Sequence, residues 1–150
     1  MKIRAARSND LDAIKALLAE NELPVADVDA ALLVDFLVAE DTSGRIVGSV
    51  GLERFGREAL LRSLAVAKTA RGAALGTRLV TQAEDAAMNS GVSELWLLTT
   101  TAAGFFRRRG YLDIPRDAAP EQVSASRQFA EMCPASATCM YATIWSMSRC

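Results

Sequence analysis

The chain has no histidine among its 150 residues. That absence removes Ser-His and Cys-His nucleophile pairs and any histidine general base. Acid–base chemistry must then come from carboxylates, hydroxyls, thiols, lysine or the backbone. Cysteine is also scarce. Cys133, Cys139 and Cys150 crowd one end of the sequence without CxxC spacing, so a zinc site of the usual Cys/His type is not expected. Neither sign of charge is in excess, with 17 basic against 18 acidic residues, whereas a nucleic-acid binder should carry a basic surplus. No apolar run approaches the length of a membrane span, and Met1 leads into KIRAARSNDL with no signal-peptide pattern. These absences predict a soluble, cytoplasmic protein with no nucleic-acid or membrane partner.

What is present favours a packed core. Hydrophobic residues make up 51% of the chain, and the length suits one domain over residues 1–150. MKIRAA reads as a first strand. SNDLDAIKALLAENELP reads as a helix, with Ser8 or Asn9 as N-cap, Leu11, Ile14, Leu17 and Leu18 on one face, and Pro24 as the stop. VADVDAALLVD suggests a second short helix. FLVAE, DTSGR and IVGSVGLERFG read as strand, turn and strand, and ALLRSLAVA as a further strand. A helix begins at Leu75 with Leu79, Val80, Ala83, Ala86 and Ala87 on its apolar face, and ends at Gly91. SELWLLTTT is apolar on both faces and should be a central strand. AAGFFRRRGY is a short helix stopped by Gly110, EQVSASRQFAEMC is helical, and TCMYATIWSM is the last strand. The order predicts an α/β fold: a mixed sheet with an antiparallel N-terminal meander and helices on both faces.

The stretch ARGAALG, residues 70–76, concentrates small side chains where the helix at Leu75 is about to start. Unpaired amides and the positive dipole end there suit a phosphate, and small residues let it approach. The stretch is neither a P-loop nor a GxGxxG fingerprint, and taken alone it reads more readily as a plain helix-start turn.

Together, LRSLAV and ARGAALG resemble the acetyl-CoA-binding core of the GNAT acetyltransferases, whose signature there is Arg/Gln-x-x-Gly-x-Gly/Ala. Arg71 and Gly76 take its first and last positions. LWLLTTTAAGFFRRRGY resembles the family's next strand and its FYxxxGF-like helix. The resemblance covers nearly the whole chain and implies a GNAT N-acetyltransferase with acetyl-CoA as co-substrate. It lays the diphosphate on the amides of Arg71, Gly72, Ala73, Ala74, Leu75 and Gly76, with Thr77 following. The pantetheine arm joins the strand edge at Leu64, Ala65 and Val66, a form of β-augmentation. Two positions depart from the pattern. The inner glycine is Ala74, and the arginine common one position earlier is Ala73. A left-handed backbone at 74 would cost roughly 1–2 kcal/mol, and a negative φ nothing. RSLAV, LLTTTAAGFFRRRGY and FAEMCPASATCM resemble acetyltransferases encoded beside arsenic-resistance genes. The first two segments also resemble those of the N-acetylglutamate-synthase type. Both imply that the acceptor is the amine of a small amino-acid-like molecule, glutamate-like or an arsenic- or phosphorus-bearing analogue, and a homodimer is common among similar proteins.

For the general base the candidate is Glu53 in GLERFG, set against the plain alternative of a solvated glutamate at a strand end. The family's general-acid tyrosine corresponds to Phe106, counted here with the cofactor-binding residues, so Thr100 or Thr101 is the substitute donor. Tyr111 reads as core. Arg62 and Ser63 interrupt an apolar strand and are candidates to hold a substrate carboxylate, with Arg54 behind them. Arg107, Arg108 and Arg109 spread around one helix as a solvated face. Cys133 and Cys139 flank PASAT as a conceivable two-thiol arsenic site, against idle buried thiols. Two other readings keep the same core: acetylation of a protein N-terminus, and a catalytically impaired acyl-CoA-binding module.

Overall fold

The structure, a computed structural model, describes residues 1–72 and 74–144. Seven strands hydrogen-bond in the order β1-β2-β3-β4-β5-β7-β6. They are β1 (Lys2–Ala5), β2 (Phe36–Glu40), β3 (Ile46–Phe55), β4 (Glu58–Val66), β5 (Glu94–Thr99), β6 (Leu112–Asp113) and β7 (Thr138–Thr143). The helices are α1 (Leu11–Glu20), α2 (Leu75–Asn89), α3 (Ala103–Arg108) and α4 (Glu121–Ser124). Contacts divide the chain into two compact units. One holds Met1–Glu53 with Arg62–Asp85, the other Arg54–Leu61 with the residues from Ala86 on.

In the first unit β1, β2 and β3 pair antiparallel, with Ile3 opposite Ala39 and Val38 opposite Ser49, and the strands of the expected meander, β2, β3 and β4, are neighbours in the sheet. Gly51 is there because Phe36 needs its space: a Cβ would come within 2.1 Å of the Phe36 ring. A Cβ on Gly48 would meet Leu79 Cδ1 at 2.9 Å and Leu75 Cδ2 at 3.2 Å, so the first turns of α2 lie directly on β3. Ile14, Leu17 and Leu18 are buried as their spacing predicts. So are Leu79, Val80, Ala83 and Ala87, whereas Ala86 is exposed.

The N-cap expectation at Ser8 or Asn9 is corrected. Ser8–Asp10 form a 3₁₀ turn ahead of α1, and the carboxylate that organises it belongs to Asp10. Asp10 Oδ2 accepts the Arg7 amide at 2.7 Å, and Arg4 grips both carboxylate oxygens at 2.8 and 3.0 Å. The Arg4 hydrogen bonds hold this carboxyl below its usual range, against the opposing effect of burial. With a folded pKa below the unfolded value of about 3.9, the stabilisation is complete above that value. It is lost as pH falls through the folded pKa. Asp10→Asn should therefore destabilise the protein by about 2 kcal/mol at pH 7. In denaturant titrations from pH 7 to pH 2, the gap from wild type should close in the acid range. A gap independent of pH would contradict this.

The helix expected over VADVDAALLVD is also corrected. Residues 25–31 are turns and irregular backbone, and only Leu32–Asp35 make a 3₁₀ turn. Val28 is buried, and the Asp27 carboxylate is pulled to a partner far along the chain.

The second unit centres on β5, whose Leu95–Leu98 are all buried, with β7 antiparallel beside it in the register Leu97 opposite Met140. Trp96 stacks on Tyr141 at 5.0 Å. Leu60, Leu98, Val123, Phe129, Ala137 and Cys139 complete this core. The helix expected over EQVSASRQFAEMC is broken. It runs as α4 and then a π turn at Gln128–Met132, because Ser126 Oγ donates to the Val123 carbonyl at 2.7 Å and accepts the Phe129 amide at 3.3 Å. β6 was not expected, since two residues are too few to show a period. The last strand ends at Thr143, and residues 145–147 of the expected strand, like Cys150, lie outside the described residues.

Candidate active site

β4 carries the first half of the site. Ser63 breaks it with φ +58°, a left-handed residue inside an otherwise extended strand. Its carbonyl accepts the Ser49 hydroxyl at 2.8 Å, which fixes the bend from inside the sheet. The parallel register of β4 with β5 covers only Glu58–Leu60. The main-chain groups of Leu64, Ala65 and Val66 on that edge are therefore not spent on β5. A strand edge in this state can accept an extended, amide-containing chain.

After Val66 the chain makes a 3₁₀ turn at Lys68–Ala70, and Arg71 is extended. Gly72 takes φ +91° and Ala74 φ +57°, then α2 starts at Leu75. Ala73 lies outside the described residues. The first helical bond there runs from the Arg78 amide to the Ala74 carbonyl at 3.1 Å. The amides of Leu75, Gly76 and Thr77 precede it and have no acceptor within the helix. A Cβ on Gly72 would meet nothing within 4 Å, and one on Gly76 only Val66 Cγ2 at 4.0 Å. Side chains therefore leave space around these amides, and the turn fits an approaching diphosphate. Arg71 reaches back, donating to the Val66 carbonyl at 3.2 Å and to Asn21 Oδ1 at 2.7 Å. It thereby ties the turn to the end of β4 and to the end of α1.

Position 74 is left-handed, so its alanine carries the strain that a glycine would not. Ala74→Gly is expected to raise stability by about 1 kcal/mol, after allowing for the extra chain entropy of glycine. An unchanged melting temperature would argue against strain at this position.

Behind the β4 edge lies a buried polar cluster. The Arg62 side chain is 0% exposed, against 8% for Asp27 and 19% for Glu53. Arg62 forks onto Asp27, with Nη1 to Oδ2 at 2.5 Å and Nη2 to Oδ1 at 2.7 Å. Its Nη1 also donates to Glu53 Oε1 at 2.6 Å, and its Nε to Ser63 Oγ at 3.1 Å. Burial opposes the Arg62 charge, but the hydrogen bonds to Asp27 and Glu53 outweigh it and raise the pKa. The two-pronged face expected to meet a substrate carboxylate therefore meets Asp27, a residue that sequence reasoning missed. Two carboxylates against one guanidinium leave the cluster negative, which disfavours a third carboxylate there. Glu53 is held through Oε1, and Oε2 is the oxygen left to take a proton.

Arg54 is exposed on β3. Thr100 and Thr101 are exposed at the end of β5, and it is Thr99 whose hydroxyl accepts the Ala102 amide at 2.9 Å and starts α3. Phe106 is 4% exposed and packs edge-on against Tyr111 at 5.2 Å, so both aromatics belong to the second unit's core. Arg107 pairs with Asp113, and both side chains are half exposed. Cys133 and Cys139 are not in a disulfide. Burial pushes the Cys139 thiol up, with Arg116 opposing. Among the described residues no three His, Cys, Asp or Glu side chains are grouped to hold a metal ion, and no helix is long and apolar enough to cross a membrane.

The chain is similar to known proteins in both sequence and fold. A family profile described as an acetyltransferase (GNAT) domain matches residues 33–112, more than half of the chain. An uncharacterized N-acetyltransferase of Chlorobaculum tepidum is 36% identical over 90 residues, covering 59% of this chain and 57% of that protein. The chain thus spans less than two thirds of that relative's length. N-acetylglutamate synthase from Neisseria gonorrhoeae, solved with coenzyme A and N-acetyl-glutamate, superposes with a TM-score of 0.83 at 24% identity, over 97% of this chain and 35% of that one. A Mycobacterium tuberculosis protein in complex with CoA and NLQ superposes with a TM-score of 0.79 at 22% identity, over 95% of this chain and 99% of that one. At these identities the structural likeness speaks for the fold alone. The matched span includes the bent strand, the small-residue turn and the start of α2, and the chain belongs to the GNAT acetyltransferase family.

Proposed function

We propose that the protein transfers an acetyl group from acetyl-CoA to the amine of a small amino-acid-like acceptor, glutamate-like or an arsenic- or phosphorus-bearing analogue. The observation that carries this reading is the turn at 71–77. Its first amides have no acceptor within the helix, and among the described residues the two glycines beside them leave room for a diphosphate. The acceptor class leans on the gonococcal structural neighbour being an N-acetylglutamate synthase.

In this reading the strand edge at Leu64–Val66 aligns the pantetheine arm and offers amides to the oxygen that becomes negative as the amine attacks. Alignment alone can supply on the order of 7 kcal/mol of the barrier. Glu53, seated by Arg62, takes the ammonium proton directly or through water. The leaving sulfur needs no acid, because a thiol has a reference pKa of about 8.5. That removes the difficulty posed by Phe106.

Because Phe106 is buried and carries no hydroxyl, the rival reading is an acyl-CoA-binding module without turnover. Thiol release from acetyl-CoA, screened with glutamate, glutamate analogues and short peptides, separates the two. Amino-acid-dependent release supports the transferase. Tight acetyl-CoA binding with no release on any amine supports the module.

A further inference from the structure

In the first unit, the buried cluster behind β4 holds a carboxylate, Asp27, that takes no proton in the transfer itself. Asp27 comes from the segment between α1 and β2, Glu53 from β3, and Arg62 and Ser63 from β4, all within that one unit. Arg62 Nη1 donates to Asp27 Oδ2 at 2.5 Å and to Glu53 Oε1 at 2.6 Å, so two carboxylates converge on one nitrogen. Nη2 closes the fork onto Asp27 Oδ1 at 2.7 Å. A two-pronged pair fixes the plane of the guanidinium as well as its position. Glu53 meets it through one oxygen alone. Asp27 therefore sets where Arg62 sits, and Arg62 sets where Glu53 sits. The Nε contact to Ser63 Oγ at 3.1 Å ties the same guanidinium to the residue that precedes Leu64 on the strand edge.

Charge divides in the same way. A carboxylate with one cation to itself is held in its charged form and makes a weak proton acceptor. Asp27 takes both prongs of Arg62 and sets a second negative charge beside Glu53. Both effects favour a proton on Glu53. Among the neighbouring charges, Asp29 of the same segment is exposed and accepts the Leu32 amide at 2.9 Å. Arg54, next along β3, is also exposed, where solvent and salt screen it.

We propose that Asp27 is the positioning residue of the proton-transfer step: through Arg62 it orients Glu53 and keeps that carboxylate able to accept the ammonium proton. The proposal rests on the transferase reading of the preceding section, with Glu53 as the base.

The plain alternative is that Asp27 only neutralises a buried arginine and pins residues 25–31. Asp27→Asn separates the two. It leaves Arg62 paired with Glu53, so no buried charge is stranded and the variant should melt close to wild type. Asp27→Glu keeps the charge and serves as the conservative control. In Asp27→Asn, kcat should fall about 10-fold with KM for acetyl-CoA unmoved, and the midpoint of the acid limb should move down by about one pH unit. Asp27→Glu should restore the wild-type midpoint. In a Glu53→Gln background, Asp27→Asn should change kcat by less than about two-fold, because its effect passes through Glu53. An additive loss with the acid limb unmoved overturns the proposal.

A second readout needs no turnover. Carbon NMR of the Glu53 carboxyl, identified by its absence from Glu53→Gln, follows protonation in the protein without ligand. Protonation displaced to lower pH in Asp27→Asn, with no thiol release on any amine, keeps the control of Glu53 by Asp27 and removes the transferase reading. Thiol release with the protonation curve unmoved in Asp27→Asn removes that control and keeps the transferase.

Discussion

Gly76→Glu is expected to abolish acetyl-CoA binding, weakening it by at least about 100-fold in calorimetry, while the protein stays folded. The fold has no need of a glycine at this position. Its φ is not positive, and a Cβ would meet only Val66 Cγ2 at van der Waals distance. An acidic residue in the first turn of a helix even favours the helix, because it faces the positive end of the dipole. What the substitution removes is the space and the charge balance required by a diphosphate, whose two negative groups would confront a carboxylate over the same amides. A variant that melts like wild type and binds acetyl-CoA equally well would show that the ligand does not use this turn.

Glu53→Gln should lower kcat by roughly 10²- to 10⁴-fold at neutral pH, the usual range for removal of a general base. KM for acetyl-CoA should scarcely move. Glutamine keeps the length of the side chain and an oxygen for Arg62, so the cluster of Asp27, Arg62 and Ser63 stays in place. The variant therefore separates proton acceptance from packing. Arg62→Leu does not, since it strands two carboxylates of low exposure and should cost about 3–5 kcal/mol of stability. The acid limb of the rate profile should flatten in Glu53→Gln. Wild-type kinetics in that variant would retire Glu53 as the base.

The parts of this protein that were legible in the sequence are those governed by local rules. Gly91 and Gly110 end α2 and α3 in left-handed conformations, at φ +91° and +94°, as a helix stop requires. β5 announced its central place by being apolar on both faces. The small-residue turn before α2 was visible as a motif. Pairings distant along the chain were not. Asp27 meets Arg62 across 35 positions, and that ion pair draws residues 25–31 out of the helix their composition suggested. Asp10 was passed over as the organiser of α1 because its partner, Arg4, belongs to β1. The kink after α4 depends on one hydroxyl, that of Ser126, which bonds main chain on both sides. Ser63 was noticed as polar, but nothing local foretold that a serine would be left-handed inside a strand.

A crystal structure of the protein with coenzyme A is the most direct measurement. The expected result has diphosphate oxygens at about 2.7–3.2 Å from the amides of Leu75, Gly76 and Thr77, and the pantetheine amides paired with the edge of Leu64–Val66. Coenzyme A bound elsewhere, with those amides facing water or side chains, would contradict the assignment of the site.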